Sequence, residues 1–339
     1  MQEAKEEPCL VQGEVVKLDR GFPLVRVESG AEYRCKHATA LVKNERVRAV
    51  IGDKVELALP EGNDKALITA ILPRRNRFVR KDPTERAQAQ VLAANFEHVL
   101  VAQPLAEVNL KRLERELVLA FETGADVAVV LTKADLAESE TQLESVRCTV
   151  QDFAGKDVPI IVCTEEDPAS VEAVRALVPP GETAILLGRS GVGKSSLVNV
   201  LVGHEVQETQ AVREGDGRGR HTTVSREIVD IPGAGRLVDM PGVRGLALWD
   251  AEEGIEAAFA DVEALAAGCK FRDCKHENEP GCAVRAAVES GELAKSRLDS
   301  YRQLVRETGE VRRRREEAER IRTRTGHPRH RTTRPRKRK

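Results

Sequence analysis

The sequence predicts a multidomain chain: an amino-terminal β-barrel, a central α/β domain on a mostly parallel sheet, and a mainly helical carboxy-terminal domain. Three observations predict it. Short strand-like runs broken by turns fill residues 1–75, apolar strands alternate with amphipathic helices from about Phe96, and three cysteines cluster with a histidine ahead of a basic tail. The chain has 339 residues, more than one typical domain, and 41% of them are hydrophobic, enough for buried cores.

The first element is read from Gly13 to Leu18, the turn Asp19-Arg20-Gly21, Leu24 to Val27, the turn Ser29-Gly30, and Glu32 to Cys35. Gly52-Asp53 then leads into a strand from Lys54, and after Pro60 to Asn63 another runs from Lys65 to Ile71. About five strands suit a small barrel of the OB type, a frequent carrier of RNA contacts. An SH3-like barrel fits the same pattern.

The second element spans residues 76–248. Strands at His98–Ala102, Asp126–Thr132, Val158–Cys163 and Thr183–Gly188 have no polar face. Helices near Asn109–Glu122, Thr141–Phe153 and Ser170–Leu177, and one opening at Lys194, separate them. Such strands imply a sheet covered on both sides, with ligands bound at the carboxyl ends of its strands.

At one such end stands Gly188-Arg189-Ser190-Gly191-Val192-Gly193-Lys194-Ser195-Ser196, the phosphate-loop pattern in its strand-to-helix setting. Backbone N–H groups freed by the glycines wrap the β-phosphate, Lys194 neutralises β- and γ-oxygens, and the Ser195 hydroxyl can ligate Mg²⁺. Asp239-Met240-Pro241-Gly242 comes later as a DxxG element, in which Asp239 holds Mg²⁺ through water and the Gly242 N–H senses the γ-phosphate. At another strand end, Thr132-Lys133-Ala134-Asp135 resembles the NKxD base reader: the Asp accepts from guanine N1 and N2 and the Lys stem covers the base. Adenine offers no matching donors, so the carboxylate selects guanine. Thr132 replaces the usual Asn, and a hydroxyl does not reproduce both roles of the amide. Cys163-Thr164 supplies a weaker last base loop.

In an ordinary GTPase the phosphate loop precedes the base reader; here it comes after it. The domain is therefore read as circularly permuted, which neighbouring termini permit. The segment after DxxG leads directly into the chain beyond Leu246, so a γ-phosphate-sensitive loop pulls on the carboxy-terminal domain.

That third element, residues 249–310, holds Cys269, Cys274, His276 and Cys282. Three thiolates and one imidazole within fourteen residues suit one closed tetrahedral Zn²⁺ per chain, and soft ligands exclude Mg²⁺ or Ca²⁺ there. Residues 311–339 read as a basic, disordered tail. The formal net charge of −1 hides an asymmetry: the tail carries a net +11 and the remainder −12. A basic tail on an acidic body indicates a polyanionic partner or a solubilising extension. With neither a signal core nor an apolar run long enough to span a bilayer, the expected setting is the cytoplasm, with no membrane partner.

The phosphate loop, Gly217 to Thr223 ("GRGRHTT"), "DMPG", the segment Cys269 to Cys282 with its continuation to Glu307, and "AQAQVLAANFEHVLVA" together resemble the RsgA (YjeQ) family of circularly permuted GTPases. The resemblance covers nearly the whole chain. It implies an OB barrel, a permuted GTPase and a zinc domain that together grip the small ribosomal subunit and its rRNA near the decoding region during late maturation, with GTP hydrolysis tied to release of a monomeric enzyme. Thr132 and the long Arg-rich tail depart from the family pattern.

Val243 comes after DxxG where a water-positioning glutamine is usual, so another group must do that work. His221 is the nearest candidate for orienting or deprotonating water, with Thr222 or Thr223 closing on Mg²⁺ and Arg218 or Arg220 available to stabilise transition-state charge. Lys194 and Thr223 complete the expected catalytic set, and GTP or GDP, Mg²⁺ and Zn²⁺ the expected ligands. The alternative is a GTP-dependent rRNA-binding module whose hydrolysis is incidental and whose His221 contacts rRNA.

Overall fold

The computed structural model describes residues 10–19, 22–45, 47–59, 65–81, 89–205, 226–240, 248–249 and 251–325. His221, Thr222, Thr223, Arg218, Arg220, Gly242, Val243 and the tail beyond Thr325 lie outside them. Strands β1 (Leu10–Asp19), β2 (Phe22–Val27), β3 (Glu32–His37), β4 (Lys54–Ala58) and β5 (Ala66–Ile71) run in the order β1-β2-β3-β5-β4, and β1 pairs with β4 to close the barrel. β3 and β5 are parallel and the other barrel pairs antiparallel, the OB arrangement rather than the SH3-like one. Inward-facing Val15, Val25, Cys35, Val55, Leu57 and Ile68 form its core, following the period of two that a pleated strand imposes.

Strands β6 (Arg77–Lys81) and β7 (Ala89–Ala94) form an antiparallel pair. The α/β domain then runs β8 (His98–Pro104), α1 (Leu110–Phe121), β9 (Asp126–Thr132), α2 (Glu140–Ala154), β10 (Ile160–Val162), α3 (Pro168–Arg175), β11 (Thr183–Leu187), α4 (Lys194–Val202), β12 (Arg226–Asp230) and β13 (Arg236–Asp239). Capping sets the helix starts: the side chains of Asn109, Ser139 and Asp167 accept backbone N–H groups of the first turns. The sheet order β10-β9-β8-β11-β13-β12 is parallel except for the β12–β13 pair. Its central strands β8, β9 and β11 are buried on both faces, with Val99 and Val101 of β8 in one core and Leu100 and Ala102 in the other.

β12 also pairs with β1, through Lys17 opposite Glu227 and Leu18 opposite Arg226, so barrel and α/β sheet are one hydrogen-bonded surface. Ion pairs Lys17–Glu227 and Arg236–Glu14 cross the joint.

Helices α5 (Glu252–Ala258), α6 (Ala260–Ala266), α7 (Ala283–Ser290) and α8 (Lys295–Thr325) complete the chain. Here the structure corrects the sequence reading. Residues 311–325, expected to be disordered, continue α8 to a length of 31 residues, about 46 Å. Arg and Glu are good helix formers, and Glu310–Arg314 and Arg312–Glu316 pair one turn apart, while Arg312 also reaches Glu252 of α5. No described helix is long and apolar enough to cross a membrane.

Candidate functional site

The carboxyl ends of β8, β9, β10 and β11 converge, as a parallel sheet requires. Gly188 leaves β11 with φ +150, and a Cβ there would stand 2.8 Å from the Ala102 carbonyl oxygen of β8, so the loop needs glycine to lie this close to its neighbour. Lys194 opens α4, is 7% exposed, and its Nζ donates to the carbonyls of Gly188 and Arg189 at 2.9 Å each. Burial lowers its pKa, opposed by the nearby carboxylates of Asp239 and Glu116. Arg189 pairs with Glu107 at 3.0 Å.

Sixty residues earlier in the chain, Thr132 ends β9 beside this loop. Its buried hydroxyl contacts the Val192 carbonyl of the loop and, at 3.2 Å, the Gln103 carbonyl of β8. Lys133, in the left-handed region at φ +57, donates from Nζ to the Gly191 carbonyl at 2.8 Å. The hydroxyl therefore ties the two motifs together. Asp135 Oδ1 accepts from Thr164 Oγ1 at 3.1 Å, so the loop after β10 is the one that orients this carboxylate. Between them lies a cavity of about 280 Å³ lined by Thr132, Lys133, Asp135, Cys163, Thr164, Gly193 and Leu197. The Asp135 carboxylate and Gly193 of the phosphate loop thus share one lining.

A second constellation sits between α6 and α7. Cys269, Cys274, His276 and Cys282 offer ligand atoms all within 4.8 Å of one another. Cys269 Sγ to His276 Nδ1 is 3.6 Å, Cys269 Sγ to Cys282 Sγ 3.9 Å, and His276 Nδ1 to Cys282 Sγ 3.4 Å. A tetrahedral ion with Zn–S near 2.3 Å and Zn–N near 2.0–2.1 Å spaces its ligand atoms about 3.5–3.8 Å apart, so the donor set fits zinc in chemistry and the Cys269, His276 and Cys282 atoms are near the spacing it requires, with Cys274 within 4.8 Å of them. His276 is 4% exposed and takes φ +59, a conformation that costs a non-glycine residue and that a ligand bond would compensate.

The family model described as RsgA GTPase matches residues 71–249. The small ribosomal subunit biogenesis GTPase RsgA of Streptomyces avermitilis is 43% identical over 305 residues, 89% of this chain and 80% of its own length. The chain belongs to the RsgA GTPase family. The RsgA of Xanthomonas euvesicatoria pv. vesicatoria is likewise 43% identical, over 258 residues, 76% of this chain and 69% of its own. Among solved structures, YjeQ from Thermotoga maritima superposes with a TM-score of 0.64 at 26% identity, covering 87% of this chain and 97% of its own. YloQ, described as a circularly permuted GTPase, shares the fold with a TM-score of 0.63 at 23% identity, over 92% of this chain and 98% of its own. The permuted order read from the motifs agrees with the fold of that neighbour.

In this RsgA-family chain the structure brings together Thr132, Lys133, Asp135, the loop Gly188–Ser196 and Asp239 at the end of β13. Gly242, His221, Thr222 and Thr223 fall outside the described residues. Sequence reasoning missed Gln103 and Glu116. Gln103 Nε2 donates to Glu116 Oε2, and Glu116, fully buried on α1, also accepts from Arg112 Nε at 2.9 Å. Burial raises the Glu116 pKa against the lowering effects of Arg112 and Gln103. The available signal was a glutamate between Leu113 and Leu117 on the apolar stripe of an amphipathic helix.

Proposed function

We propose that this chain is a GTPase that binds the small ribosomal subunit through its rRNA, assists its late maturation as a cytoplasmic monomer, and leaves on subunit-stimulated hydrolysis. One observation carries the reading: Asp135, suited to guanine, and Gly193 of the phosphate loop line one cavity, and Lys133 donates to the Gly191 carbonyl of that loop, although the two motifs stand in reversed chain order. Family membership and the names of the relatives support the choice of partner.

In this reading Asp135 accepts from guanine N1 and N2, the Lys133 stem covers the base, and Gly188–Ser196 wraps the phosphates. Ser195 and Thr222 would hold Mg²⁺, with Asp239 acting through water; bound there, the ion neutralises charge on β- and γ-oxygens. The Gly242 N–H senses the γ-phosphate. His221 orients or deprotonates the attacking water while Thr223 closes the switch, and Lys194 stabilises the charge that develops on the transferred group. Cys269, Cys274, His276 and Cys282 would hold one structural zinc, whose binding energy becomes folding energy of the carboxy-terminal helices. The barrel and the Arg-rich end of the chain supply contacts to RNA phosphates.

Co-sedimentation with small ribosomal subunits tests the proposal. The chain should pellet with subunits in a non-hydrolysable GTP analogue and be released in GDP; equal recovery in both states contradicts it. For His221, His221→Ala should keep analogue-dependent binding and lose subunit-stimulated turnover by about two orders of magnitude or more. Lost binding with wild-type single-turnover hydrolysis would make His221 a docking residue.

A further inference from the structure

Helix α1 carries charged side chains far deeper than a surface helix needs. Glu114 is 2% and Glu116 0% exposed. Successive helix positions lie about 100° apart, so these two point to nearly opposite sides. Glu116 turns toward the carboxyl end of β8, close enough to Lys194 to act on its charge, and holds the side chain of Gln103, itself 1% exposed. The Gln103 carbonyl accepts the Thr132 hydroxyl that also reaches Val192 in the phosphate loop. The preceding residue, Ala102, provides the carbonyl on which Gly188 packs. The phosphate loop thus rests on the strand end that Glu116 secures.

Glu114 turns the other way and accepts from Arg297 Nη1 of α8 at 3.0 Å. The same guanidinium donates to the Asp261 carboxylate at 3.1 and 3.0 Å and to the Ala258 carbonyl at 2.6 Å, and it stacks 4.1 Å from the Phe259 ring centroid. Beside it, Arg115 and Glu307 of α8 form a two-pronged pair at 2.7 Å each. Farther along, Glu122 accepts the Gly254 N–H of α5 at 2.7 Å, and a Cβ on Gly254 would lie 2.2 Å from the Val118 carbonyl oxygen. A helix locked by buried, paired charges and backbone contact does not slide by degrees; it holds one seat or another.

We propose that Glu116 is a positioning residue for the phosphate loop, and that α1 makes nucleotide affinity depend on how the carboxy-terminal helices sit, through Glu114–Arg297 and Arg115–Glu307. The proposal rests on the GTPase reading of the cavity and adds what regulates it. Whatever shifts α8 on α1 changes how well the loop holds phosphates, and by reciprocity nucleotide tightens α8 on α1.

The test uses the full, metal-loaded chain and titration with fluorescent GDP, ATP serving as competitor. Glu114→Gln keeps side-chain volume and leaves Arg297 its Asp261 partner; Arg115→Met removes the outer pair with Glu307. GDP affinity should fall by about 5- to 50-fold in the first and by less, in the same direction, in the second. Tyr301→Phe, which loses its bond to Glu263 inside the carboxy-terminal region, should bind GDP like the parent and so separates coupling from general weakening. In the parent chain, GDP should slow amide exchange across residues 297–307, and Glu116→Gln should abolish that slowing. Failure of GDP to outcompete ATP in the parent would refute the GTPase reading itself, and the proposal with it. With that preference intact, GDP affinities within about twofold of the parent in both α1 variants, or parent exchange unaffected by GDP, overturn the coupling alone. Should Glu114→Gln fail to fold, Arg115→Met and the parent exchange experiment decide.

Discussion

Thr132→Val removes one hydroxyl and little else, and the structure sets the size of its effect. The side chain is 5% exposed, and its single proton serves two carbonyls, those of Val192 and Gln103, so one hydrogen bond is lost rather than two. Leaving a buried carbonyl without a donor costs about 1–3 kcal/mol. Val192 belongs to the phosphate loop, so the loss releases the loop into arrangements that do not bind, and apparent affinity falls by the fraction of chains left competent. The corresponding weakening is about 5- to 150-fold for GDP. Thr132→Asn, whose amide also donates, should stay near the parent. Equilibrium titration with fluorescent GDP, alongside thermal unfolding of the nucleotide-free variants, measures both terms. Should Thr132→Val bind GDP within about twofold of the parent while melting earlier, the bond serves folding alone and the tethering account is wrong.

Three further outcomes are expected of the site. Asp135→Asn, which removes the carboxylate that Thr164 aims, should weaken GDP and narrow its margin over ATP in competition titrations; an unchanged margin would place guanine selection elsewhere. Stripping metal with a chelator should release one zinc per chain and loosen α6 to α8, read by native mass spectrometry and amide exchange; a metal-free chain with full protection there would refute the structural-zinc proposal. Lys194 has its pKa lowered from 10.5 chiefly by burial, so in the nucleotide-free chain its desolvation penalty is present in full below the lowered value and disappears above 10.5. Nucleotide-free stability should therefore rise with pH through that window, while GDP affinity falls as the amine that draws the phosphates becomes neutral. A GDP affinity flat across the window, matching Lys194→Met, would contradict this.

The sequence made the nucleotide motifs legible because their chemistry is local: glycines that admit close backbone approach, and a lysine and carboxylate at fixed offsets after apolar strands. The Cys269, Cys274, His276 and Cys282 cluster was legible for the same reason, since the segment from Cys269 to Cys282 needs no distant partner to be read. Pairings between distant segments were not. Nothing in Lys17 or Arg226 announces that β1 and β12 join barrel and sheet, and the charged run Arg77–Lys81 conceals a strand paired with Ala89–Ala94. Residues 311–325 read as a basic tail because charge counts ignore spacing, yet the one-turn spacing of Glu and Arg is what makes the segment helical. Gln103, Glu114, Glu116 and Arg297 look like surface residues by type, and only the packing of α1 between β8 and the carboxy-terminal helices explains their burial.

The measurement that bears most directly on the proposed function is GTP turnover with and without purified small ribosomal subunits, with ATP as the companion substrate. The account predicts slow GTP hydrolysis by the free chain, strong stimulation by small subunits, no stimulation by large subunits, and no comparable ATP hydrolysis. GTP turnover indifferent to small subunits, or ATP hydrolysed equally well, would contradict it.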